Sequence, residues 1–361
     1  MCDKNILIMA GGTGGHVYPA LAVADNLKEK GFKLFWLGTS KGMEARVVPN
    51  HGYPLLKINV AGVRGNGVLR LLFTPFMLAI ALVQALMIMV KVRPVVVLGM
   101  GGFASGPGGI AAWLMRIPLL IHEQNAIAGL TNRLLAPFAV SIMAAFPGAF
   151  KESKKLTITG NPVRNDIVNL PEPEQRYANR DLKILKILVL GGSLGAKKLN
   201  EVIPQTLSVL GNEYQFEIKH QCGERHLADT EAAYKEYNVG VEVMPFINDM
   251  AKVYAWADIV ICRAGALTVA ELAATGIGSI LIPFPYAVDD HQTENAKYLS
   301  VEGAAILIQE AQLSVEKLKE LLLKLCHAPE QLLQMAMKAR SLAKPTATDD
   351  VAKLCMEAIH A

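Results

Sequence analysis

The same strand–turn–helix pattern begins each half of the chain, and it constrains the fold more than any other sequence feature. "ILIMAGGTGGHVYPAL" at 6–21 and "ILVLGGSLGAKKLN" at 187–200 each join an apolar strand to a helix through a Gly-Gly turn. Short β-rich runs then alternate with helical stretches, which is typical of parallel sheets covered on both faces. The sequence therefore predicts an α/β chain with two Rossmann-like, doubly wound parallel-sheet domains whose glycine turns face one central cleft.

Six strands are predicted in each half from the apolar runs. They lie near 5–10, 33–37, 54–58, 95–98, 118–121 and 139–143, and near 184–190, 214–219, 241–243, 258–262, 279–282 and 304–307. The Pro-rich, polar stretch 161–181 indicates a linker. We therefore expect domains at 1–163 and 164–340, followed by a C-terminal helical segment, 341–361, that folds back over the first domain.

Cysteine spacing and charge distribution indicate which compartment and which kind of ligand to expect. The five cysteines show no C-x-x-C spacing, which favours reduced thiols in a cytosol, and no signal peptide is expected before the first strand. Residues 1–160 hold 16 Lys/Arg against 6 Asp/Glu, a net charge of +10, whereas 161–361 hold 20 against 26, a net charge of −6. The basic half favours an anionic ligand or membrane surface, although ordinary scatter of surface charge is the alternative.

A third glycine-rich turn, "LGMGGFASGPGGIAAWL" at 98–114, also follows a predicted strand. Glycine backbone at the start of a helix is suited to binding phosphate. A dinucleotide site is disfavoured because Val17 stands at the third glycine position and "LFWLGTS" at 34–40 lacks an acid for the ribose. The Gly-Lys-Ser/Thr of a P-loop is missing as well.

The segment "LLFTPFMLAIALVQALMIMV" at 71–90 is apolar enough to pass a hydropathy test for a membrane span. It lies in the crossover between the third and fourth strands, so we expect a packed helix with an apolar outer face. Arg64, Arg70, Lys91 and Arg93 near its ends suit anionic lipid head groups. A wholly buried core helix is the alternative.

Polar side chains follow several of the predicted strands, where ligands of parallel sheets bind. They occur in "IHEQNAIAGLTNRLL" at 121–135, "VICRAGALTVAEL" at 260–272 and "PFPYAVDDHQTENAKYL" at 283–299. His122 is also compatible with a buried, hydrogen-bonded histidine, and Asp289 and Asp290 with helix capping. The sequence has no Asp-x-Asp or His-Glu-x-x-His pattern, so no required protein-bound metal is expected.

Taken in order, the glycine turns, "HEQN" (122–125), "NPVR" (161–164), "CRAGALTVAE" (262–271) and "DDHQTENA" (289–296) resemble one family closely. It is the peptidoglycan UDP-GlcNAc:N-acetylmuramyl-(pentapeptide) pyrophosphoryl-undecaprenol N-acetylglucosamine transferases, which convert lipid I to lipid II. The resemblance runs from Ile6 to about Ala358. It implies a GT-B fold whose C-terminal domain holds the donor and whose N-terminal domain holds the acceptor.

The resemblance also implies roles for individual residues. The donor set is Thr13, Gly14, Gly15, Asn125, Arg164, Ser193, Phe246, Ile247, Ala266, Leu267, Thr268, Glu271, His291 and Gln292, and the set for the acceptor's pyrophosphate is Gly11, Gly12, Gly101, Gly102, Ser105 and Gly106. Glu271 is expected to hold the uridine ribose, and the main chain at 246–247 to read the uracil edge. His16 is the candidate general base, since imidazole often serves near neutral pH, and Glu123 is a second candidate catalytic residue.

The implied substrates are UDP-GlcNAc and lipid I, that is undecaprenyl-pyrophosphoryl-MurNAc-pentapeptide. The implied location is peripheral, on the cytoplasmic face of the inner (plasma) membrane, with an anionic membrane surface and cell-wall synthesis proteins as partners, and no nucleic acid or cofactor. Ala264, His291 and Asn248 depart from residues common in the family. Alternatives are a GT-B enzyme with another acceptor, a UDP-GlcNAc epimerase, a nicotinamide oxidoreductase and a non-enzymatic membrane scaffold.

Overall fold

The computed structural model of the chain describes residues 4–60, 68–178, 180, 184–192, 195–211 and 214–359. The chain divides into two compact units: unit 1 comprises Met1–Arg164 and Pro345–Ala361, and unit 2 comprises Asn165–Lys344. The first boundary follows residue 164 rather than the predicted 163, and the second follows 344 rather than 340. Unit 2 is therefore inserted in sequence between two parts of unit 1.

Unit 1 contains a seven-stranded parallel sheet in the order β3-β2-β1-β4-β5-β6-β7. Its strands are β1 (Asn5–Met9), β2 (Lys33–Gly38), β3 (Leu55–Lys57), β4 (Val96–Gly99), β5 (Leu119–Glu123), β6 (Ser141–Ala144) and β7 (Leu156–Ile158). The sequence predicts the first six but not β7, whose Leu156 and Ile158 lie within an otherwise polar stretch.

Helices cover both faces of this sheet because its strands are apolar on both sides. They are α1 (Gly14–Glu29), α2 (Glu44–Asn50), α3 (Val68–Val92), α4 (Ser105–Leu114) and α5 (Leu130–Leu135). Ile6 and Ile8 of β1 belong to one core cluster, whereas Leu7 and Met9 belong to the cluster on the opposite face. The alternation follows from the two-residue period of a strand.

Helix α3 packs along one stripe and leaves an apolar stripe exposed. Ala81, Ala85 and Met89, spaced four residues apart, are fully buried. Phe76 and Met87 are 67% and 60% exposed. Thr74–Val92 is long and apolar enough to span a membrane, and only 22% of its most apolar 18-residue stretch is buried. The packed helix with an apolar outer face is confirmed; Arg64 lies outside the described residues.

Unit 2 repeats the same architecture with a six-stranded parallel sheet in the order β10-β9-β8-β11-β12-β13. Its strands are β8 (Ile184–Leu190), β9 (Gln215–Gln221), β10 (Glu242–Met244), β11 (Ile259–Cys262), β12 (Gly278–Leu281) and β13 (Ala305–Leu307). Its helices are α6 (Asn165–Val168), α7 (Pro173–Tyr177), α8 (Lys197–Leu210), α9 (Leu227–Glu236), α10 (Met250–Trp256), α11 (Ala266–Thr275), α12 (His291–Ser300), α13 (Val315–His327) and α14 (Glu330–Ser341). The prediction of two doubly wound parallel sheets is confirmed.

The last helix of the chain, α15 (Ala347–Glu357), belongs to unit 1 and packs against α1. Val351, Ala352 and Cys355 are fully buried in the same core cluster as Ile6 and Ile8. Residues from the two ends of the sequence thus share one core.

Candidate active site

The two glycine turns of unit 1 lie side by side at the carboxyl ends of β1 and β4. These strands are hydrogen-bonded neighbours, and the strand order reverses between them. A Cβ atom on Gly102 would lie 2.5 Å from the Gly11 carbonyl oxygen, so a side chain at 102 would collide with the backbone of the other turn. This reversal point is where open α/β sheets bind ligands.

The amide of Gly12, which the sequence assigns to the acceptor, is bound within the protein. Glu44 is fully buried, and its Oε2 atom accepts the Gly12 N–H at 2.9 Å. Its Oε1 atom accepts the N–H and the hydroxyl of Thr39 at 2.9 and 2.7 Å. Glu44 therefore fixes the first glycine turn to the β2–α2 loop, and the assignment of Gly12 to the acceptor stays a prediction.

Thr13, Gly14 and Gly15 form the start of α1. Gly14 and Gly15 are its first two residues, and the carbonyl of Thr13 accepts the His16 N–H at 3.1 Å. The amides of a 16-residue helix N-terminus favour anions. Their predicted contact with the donor stays a prediction.

His16 is held on two sides. Its ring lies against Gly101, where a Cβ atom would come within 2.8 Å of Nδ1. Gly101 also has a φ of +94°, so glycine is required there both for space and for backbone conformation. The His16 Nδ1 atom is 2.8 Å from the Oε1 atom of Gln124. The candidate base is thus positioned by both the third glycine turn and the end of β5.

His122 is a buried histidine, as one of the two sequence interpretations has it. It is fully buried, and its Nε2 atom lies 2.9 Å from the Gly160 carbonyl oxygen. Burial lowers its pKa to about 4, although the Gly160 carbonyl and the Glu123 carboxylate favour the protonated form. The imidazole of His122 is therefore neutral at pH 7.

Glu123 organises its own loop, and its assignment as a catalytic residue stays a prediction. The side chain is 2% exposed. Oε1 accepts the N–H of Asn125 at 3.0 Å, and Oε2 accepts from the Gly129 N–H at 3.0 Å and from Asn132 Nδ2 at 2.9 Å. Both oxygens are engaged by residues of the β5–α5 segment. Asn125, predicted to contact the donor, also donates its Nδ2 to Glu123 Oε1 at 3.2 Å.

Ser105 and Gly106 begin α4, and their assignment to the acceptor stays a prediction. Ser105 is fully buried, and its hydroxyl lies 2.9 Å from the Gly101 carbonyl and 3.1 Å from the Met9 carbonyl. It ties the third glycine turn to the end of β1. At Gly106 a Cβ atom would make only an ordinary contact, at 3.8 Å from Thr131.

A cavity of about 550 Å³ opens in unit 1 beside the first glycine turn. Polar groups of the β2–α2 loop and apolar side chains of α3 share its wall. The lining residues are Gly12, Thr39, Ser40, Lys41, Gly42, Glu44, Ile58, Asn59, Val60, Met77, Ile80 and Phe103. Such a mixed wall suits a ligand with both polar and apolar parts.

In unit 2 the corresponding structures follow β8 and β11, the neighbouring strands at the reversal of strand order. Ser193, in the turn after β8, lies outside the described residues. Ala266, Leu267 and Thr268 form the first turn of α11, which follows the extended residue Gly265. The first turn of this ten-residue helix therefore lies where the resemblance places a diphosphate.

Glu271 lies in the second turn of α11, and it is 8% exposed. Its Oε2 atom accepts the Tyr254 hydroxyl at 3.0 Å, which orients the carboxylate. Phe246 is 47% exposed, whereas Ile247 is buried. The structure thus presents the main chain at 246–247 beside one exposed aromatic ring, and the predicted contacts with uridine stay predictions.

The loop before α12 has an unusual backbone. Asp289 and Asp290 have φ values of +53° and +51°, a left-handed conformation that Asp tolerates better than most residues. The Asp290 carboxylate accepts the Thr293 hydroxyl at 2.8 Å. His291 and Gln292 begin α12 half-buried, and the Gln292 Oε1 atom accepts the Phe284 N–H at 2.9 Å.

Arg164 is the last residue of the first segment of unit 1 and is half-buried. Its predicted contact with the donor stays a prediction. Among the described residues, no three His, Cys, Asp or Glu side chains are grouped so as to hold a metal ion.

Two family descriptions together match most of the chain. The glycosyltransferase family 28 N-terminal domain matches residues 6–144, and the glycosyltransferase family 28 C-terminal domain matches residues 186–352. The chain belongs to glycosyltransferase family 28.

Relatives of this family 28 chain share its full length. A protein of Marinobacter nauticus is 52% identical over 99% of this chain and 98% of its own. One of Aeromonas hydrophila is 51% identical over 98% and 96%. Both are called UDP-N-acetylglucosamine–N-acetylmuramyl-(pentapeptide) pyrophosphoryl-undecaprenol N-acetylglucosamine transferase. The family resemblance drawn from the motifs is confirmed.

Solved structures agree with this assignment. MurG of Acinetobacter baumannii is 44% identical, and the two chains superpose with a TM-score of 0.85 over 98% of this chain and 99% of that one. A UDP-GlcNAc 2-epimerase of Neisseria meningitidis gives a TM-score of 0.68 at 14% identity, covering 98% and 100%. The second likeness shows a shared fold only.

Two contacts that organise this site are missed by the sequence analysis, which does not single out Glu44 and places Gln124 only among the polar residues beyond a strand end. Glu44 contacts Gly12 across 32 residues of sequence, and Gln124 contacts His16 across 108. The only local signal is that Glu44 begins a helix near a glycine turn and that Gln124 follows a strand end. Neither signal identifies the residue that Glu44 or Gln124 contacts.

Proposed function

We propose that this chain transfers GlcNAc from UDP-GlcNAc to the C4 hydroxyl of MurNAc in undecaprenyl-pyrophosphoryl-MurNAc-pentapeptide, yielding lipid II and UDP. The observation that carries the proposal is 52% identity with a transferase of that name over 99% of this chain. The reaction belongs to peptidoglycan synthesis. The same identity disfavours the epimerase, oxidoreductase and scaffold alternatives.

The proposed reaction is a single inverting displacement. The acceptor O4 atom forms a bond to the anomeric carbon of α-linked GlcNAc while the bond from that carbon to the UDP oxygen breaks. UDP leaves with the electron pair, and the O4 proton passes to the Nε2 atom of His16. The support for His16 is its position beside Gly101 and its Nδ1 contact with Gln124, which leaves Nε2 as the nitrogen to which we assign the acceptor proton.

We assign the donor to unit 2. The first turn of α11 supplies backbone amides at the carboxyl end of β11, where they stabilise charge that develops on the leaving diphosphate. Glu271, held by Tyr254, is the acceptor for the ribose hydroxyls. No bound metal is required in this scheme.

We assign the acceptor to unit 1. The cavity beside the first glycine turn combines Lys41 and Asn59 with the apolar side chains Met77, Ile80 and Phe103. This mixture fits a lipid-linked, negatively charged saccharide, since one part of such a ligand is ionic and another is apolar.

We also propose that α3 docks unit 1 on the cytoplasmic face of the inner membrane. Its exposed apolar stripe includes Phe76, Val83 and Met87, and Lys91 and Arg93 near its end are exposed. Phosphatidylglycerol vesicles should bind the protein more strongly than phosphatidylcholine vesicles, and salt should weaken the binding. Equal binding of the wild type and of a variant with Ser at these three apolar positions would contradict this assignment.

The proposed activity is tested by incubating the purified chain with radiolabelled UDP-GlcNAc and a short-chain lipid I analogue. Transfer gives a labelled disaccharide lipid and free UDP. A control without the acceptor separates an epimerase, which would convert the sugar nucleotide by itself. The absence of a labelled lipid product would refute the proposal.

A further inference from the structure

The contact between Gln124 and His16 belongs to a longer network of buried polar groups, which also includes His122 and the Gly160 carbonyl. Gln124 and His122 are both fully buried at the carboxyl end of β5, so neither reaches a substrate directly. They nevertheless connect the Gly160 backbone to the imidazole of His16 through three consecutive contacts of 2.9, 3.1 and 2.8 Å. All four residues lie in unit 1.

The direction of each hydrogen bond in this network follows from the Gly160 carbonyl at its far end. The Gly160 carbonyl can only accept, so the Nε2 atom of His122, 2.9 Å away, must carry a hydrogen. Since burial keeps His122 neutral at pH 7, its Nδ1 atom has no hydrogen and can only accept.

The orientation of the Gln124 amide is determined in turn. Its NH2 group donates to His122 Nδ1 at 3.1 Å, and the same nitrogen lies 3.3 Å from the His122 carbonyl oxygen. Both neighbours are acceptors, which fixes the NH2 end on that side. The Gln124 carbonyl oxygen therefore faces His16 Nδ1 at 2.8 Å, and an oxygen acceptor requires that Nδ1 carry the hydrogen.

We propose that Gln124, oriented by His122, is a positioning residue that holds His16 in its Nδ1–H tautomer and leaves the Nε2 lone pair to take the acceptor proton. The inference rests on the proposed transferase function, which needs a base at His16. It adds the reason why one particular nitrogen of that base is available. Gln124 acts through His16 and touches no reacting atom.

The amide fixes the tautomer in a different way from a carboxylate. A carboxylate in this position would stabilise the charged imidazolium as well as orienting the ring. The neutral Gln124 carbonyl accepts the same hydrogen without adding a negative charge to the glycine turns.

The first test is made on the wild-type protein and needs no variant to fold. We label its eight histidines with ¹⁵N and record two-bond ¹⁵N–¹H correlations at pH 8. The His16 signals are identified by their loss in His16→Gln. We expect a protonated Nδ1 and an unprotonated Nε2. A hydrogen on Nε2 in the folded enzyme would overturn the inference.

The second test compares Gln124→Leu with the wild type in turnover. Loss of the tautomer control should lower kcat about 10- to 100-fold, less than the full effect of a general base, with the KM for UDP-GlcNAc within twofold. Gln124→Glu keeps an acceptor for His16 Nδ1, so it should retain the Nδ1–H signal that Gln124→Leu loses. Gln205→Leu, at a half-buried position on α8, is the control for loss of an amide.

The outcomes separate this inference from the proposed function. If the wild type forms no labelled lipid product, the transferase function fails whatever the tautomer of His16. If the wild type is active but a folded Gln124→Leu variant turns over at the wild-type rate, only the positioning role fails. A loss confined to the KM for UDP-GlcNAc would also overturn that role.

Discussion

Replacing Gly101 by alanine should displace His16, the proposed general base, without changing the histidine itself. The added Cβ atom would lie 2.8 Å from Nδ1 and 2.9 Å from Cε1 of His16, whereas ordinary contacts begin near 3.4 Å. The imidazole must therefore move by roughly 0.6 Å to relieve the overlap. The same shift would lengthen its 2.8 Å contact with Gln124 to about 3.4 Å, beyond the usual N–H···O range of about 2.7–3.2 Å.

The expected loss of unfolding free energy in Gly101→Ala has two sources. Alanine in the left-handed conformation of Gly101 costs about 1–2 kcal/mol of unfolding free energy. Loss of the hydrogen bond to a buried acceptor on Gln124 costs about 1–3 kcal/mol more. We therefore expect Gly101→Ala to destabilise the protein by about 2–5 kcal/mol. Misplacement of the base should lower kcat about 10- to 100-fold, in line with the cost of a displacement of about 1 Å.

Gly31→Ala is the matched control. Gly31 has a φ of +89°, close to the +94° of Gly101, but a Cβ atom there would meet nothing within 4 Å. This variant carries the backbone strain without the collision, so it should lose only about 1–2 kcal/mol and keep its kcat within twofold. Urea unfolding and initial rates at saturating UDP-GlcNAc measure the two quantities. Equal destabilisation of both variants, with an unchanged kcat in Gly101→Ala, would refute the reasoning.

Four further predictions concern the remaining groups. Glu44→Gln should lower the unfolding free energy by about 1–3 kcal/mol and raise the KM for lipid I, because the NH2 group of the new glutamine cannot accept the Gly12 N–H. Urea unfolding measures the first effect and initial rates measure the second. Glu271→Ala should weaken UDP binding about 10- to 100-fold in calorimetry, since it removes a charged acceptor for the ribose. As pH falls from 6.5 towards 4, the unfolded chain gains a proton that buried His122 does not, so stability in urea should fall by up to about 1.4 kcal/mol per pH unit from this group. Transfer should continue at the same rate in EDTA.

For each of these four predictions, one experimental result would contradict it. An unchanged UDP affinity in Glu271→Ala would remove that residue from the donor site. A wild-type stability that does not fall between pH 6.5 and 5 would mean that neither His122 nor His220, whose pKa burial lowers to about 3, stays neutral in the folded state. Activity lost in EDTA and restored by Mg²⁺ would show a metal requirement. An unaltered lipid I KM in Glu44→Gln would separate the first glycine turn from acceptor binding.

The features that could be predicted from the sequence are those with a local physical cause. Strand β1 is recognisable because its apolar run ends abruptly at a Gly-Gly turn, and the same pattern recurs before α8. Strand β7 was not predicted because Leu156 and Ile158 are isolated apolar residues within the otherwise polar stretch 151–161. The exposed stripe of α3 was predictable because the helix is apolar on all sides, whereas a sheet can cover only the side that packs against it.

The site was less predictable, because its residues act through partners far away in sequence. Glu123 follows a strand end, as a ligand-binding acid would, but the amides of Gly129 and Asn132 fold back onto it. Ser105 resembles a loop hydroxyl, yet the Met9 carbonyl from another strand lies 3.1 Å away and the side chain is buried. Which donor meets which acceptor depends on tertiary packing, which the motifs do not specify.

The placement of α15 has a consequence for how the chain folds during translation. The hydrophobic side of α1 is completed by Val351, Ala352 and Cys355, which leave the ribosome only after all of Asn165–Lys344. At synthesis rates of about 5–20 residues per second, the nascent first core waits roughly 10–35 s for its last helix. During that interval apolar surface stays uncovered, which makes this enzyme a natural client for chaperones that bind emerging polypeptides.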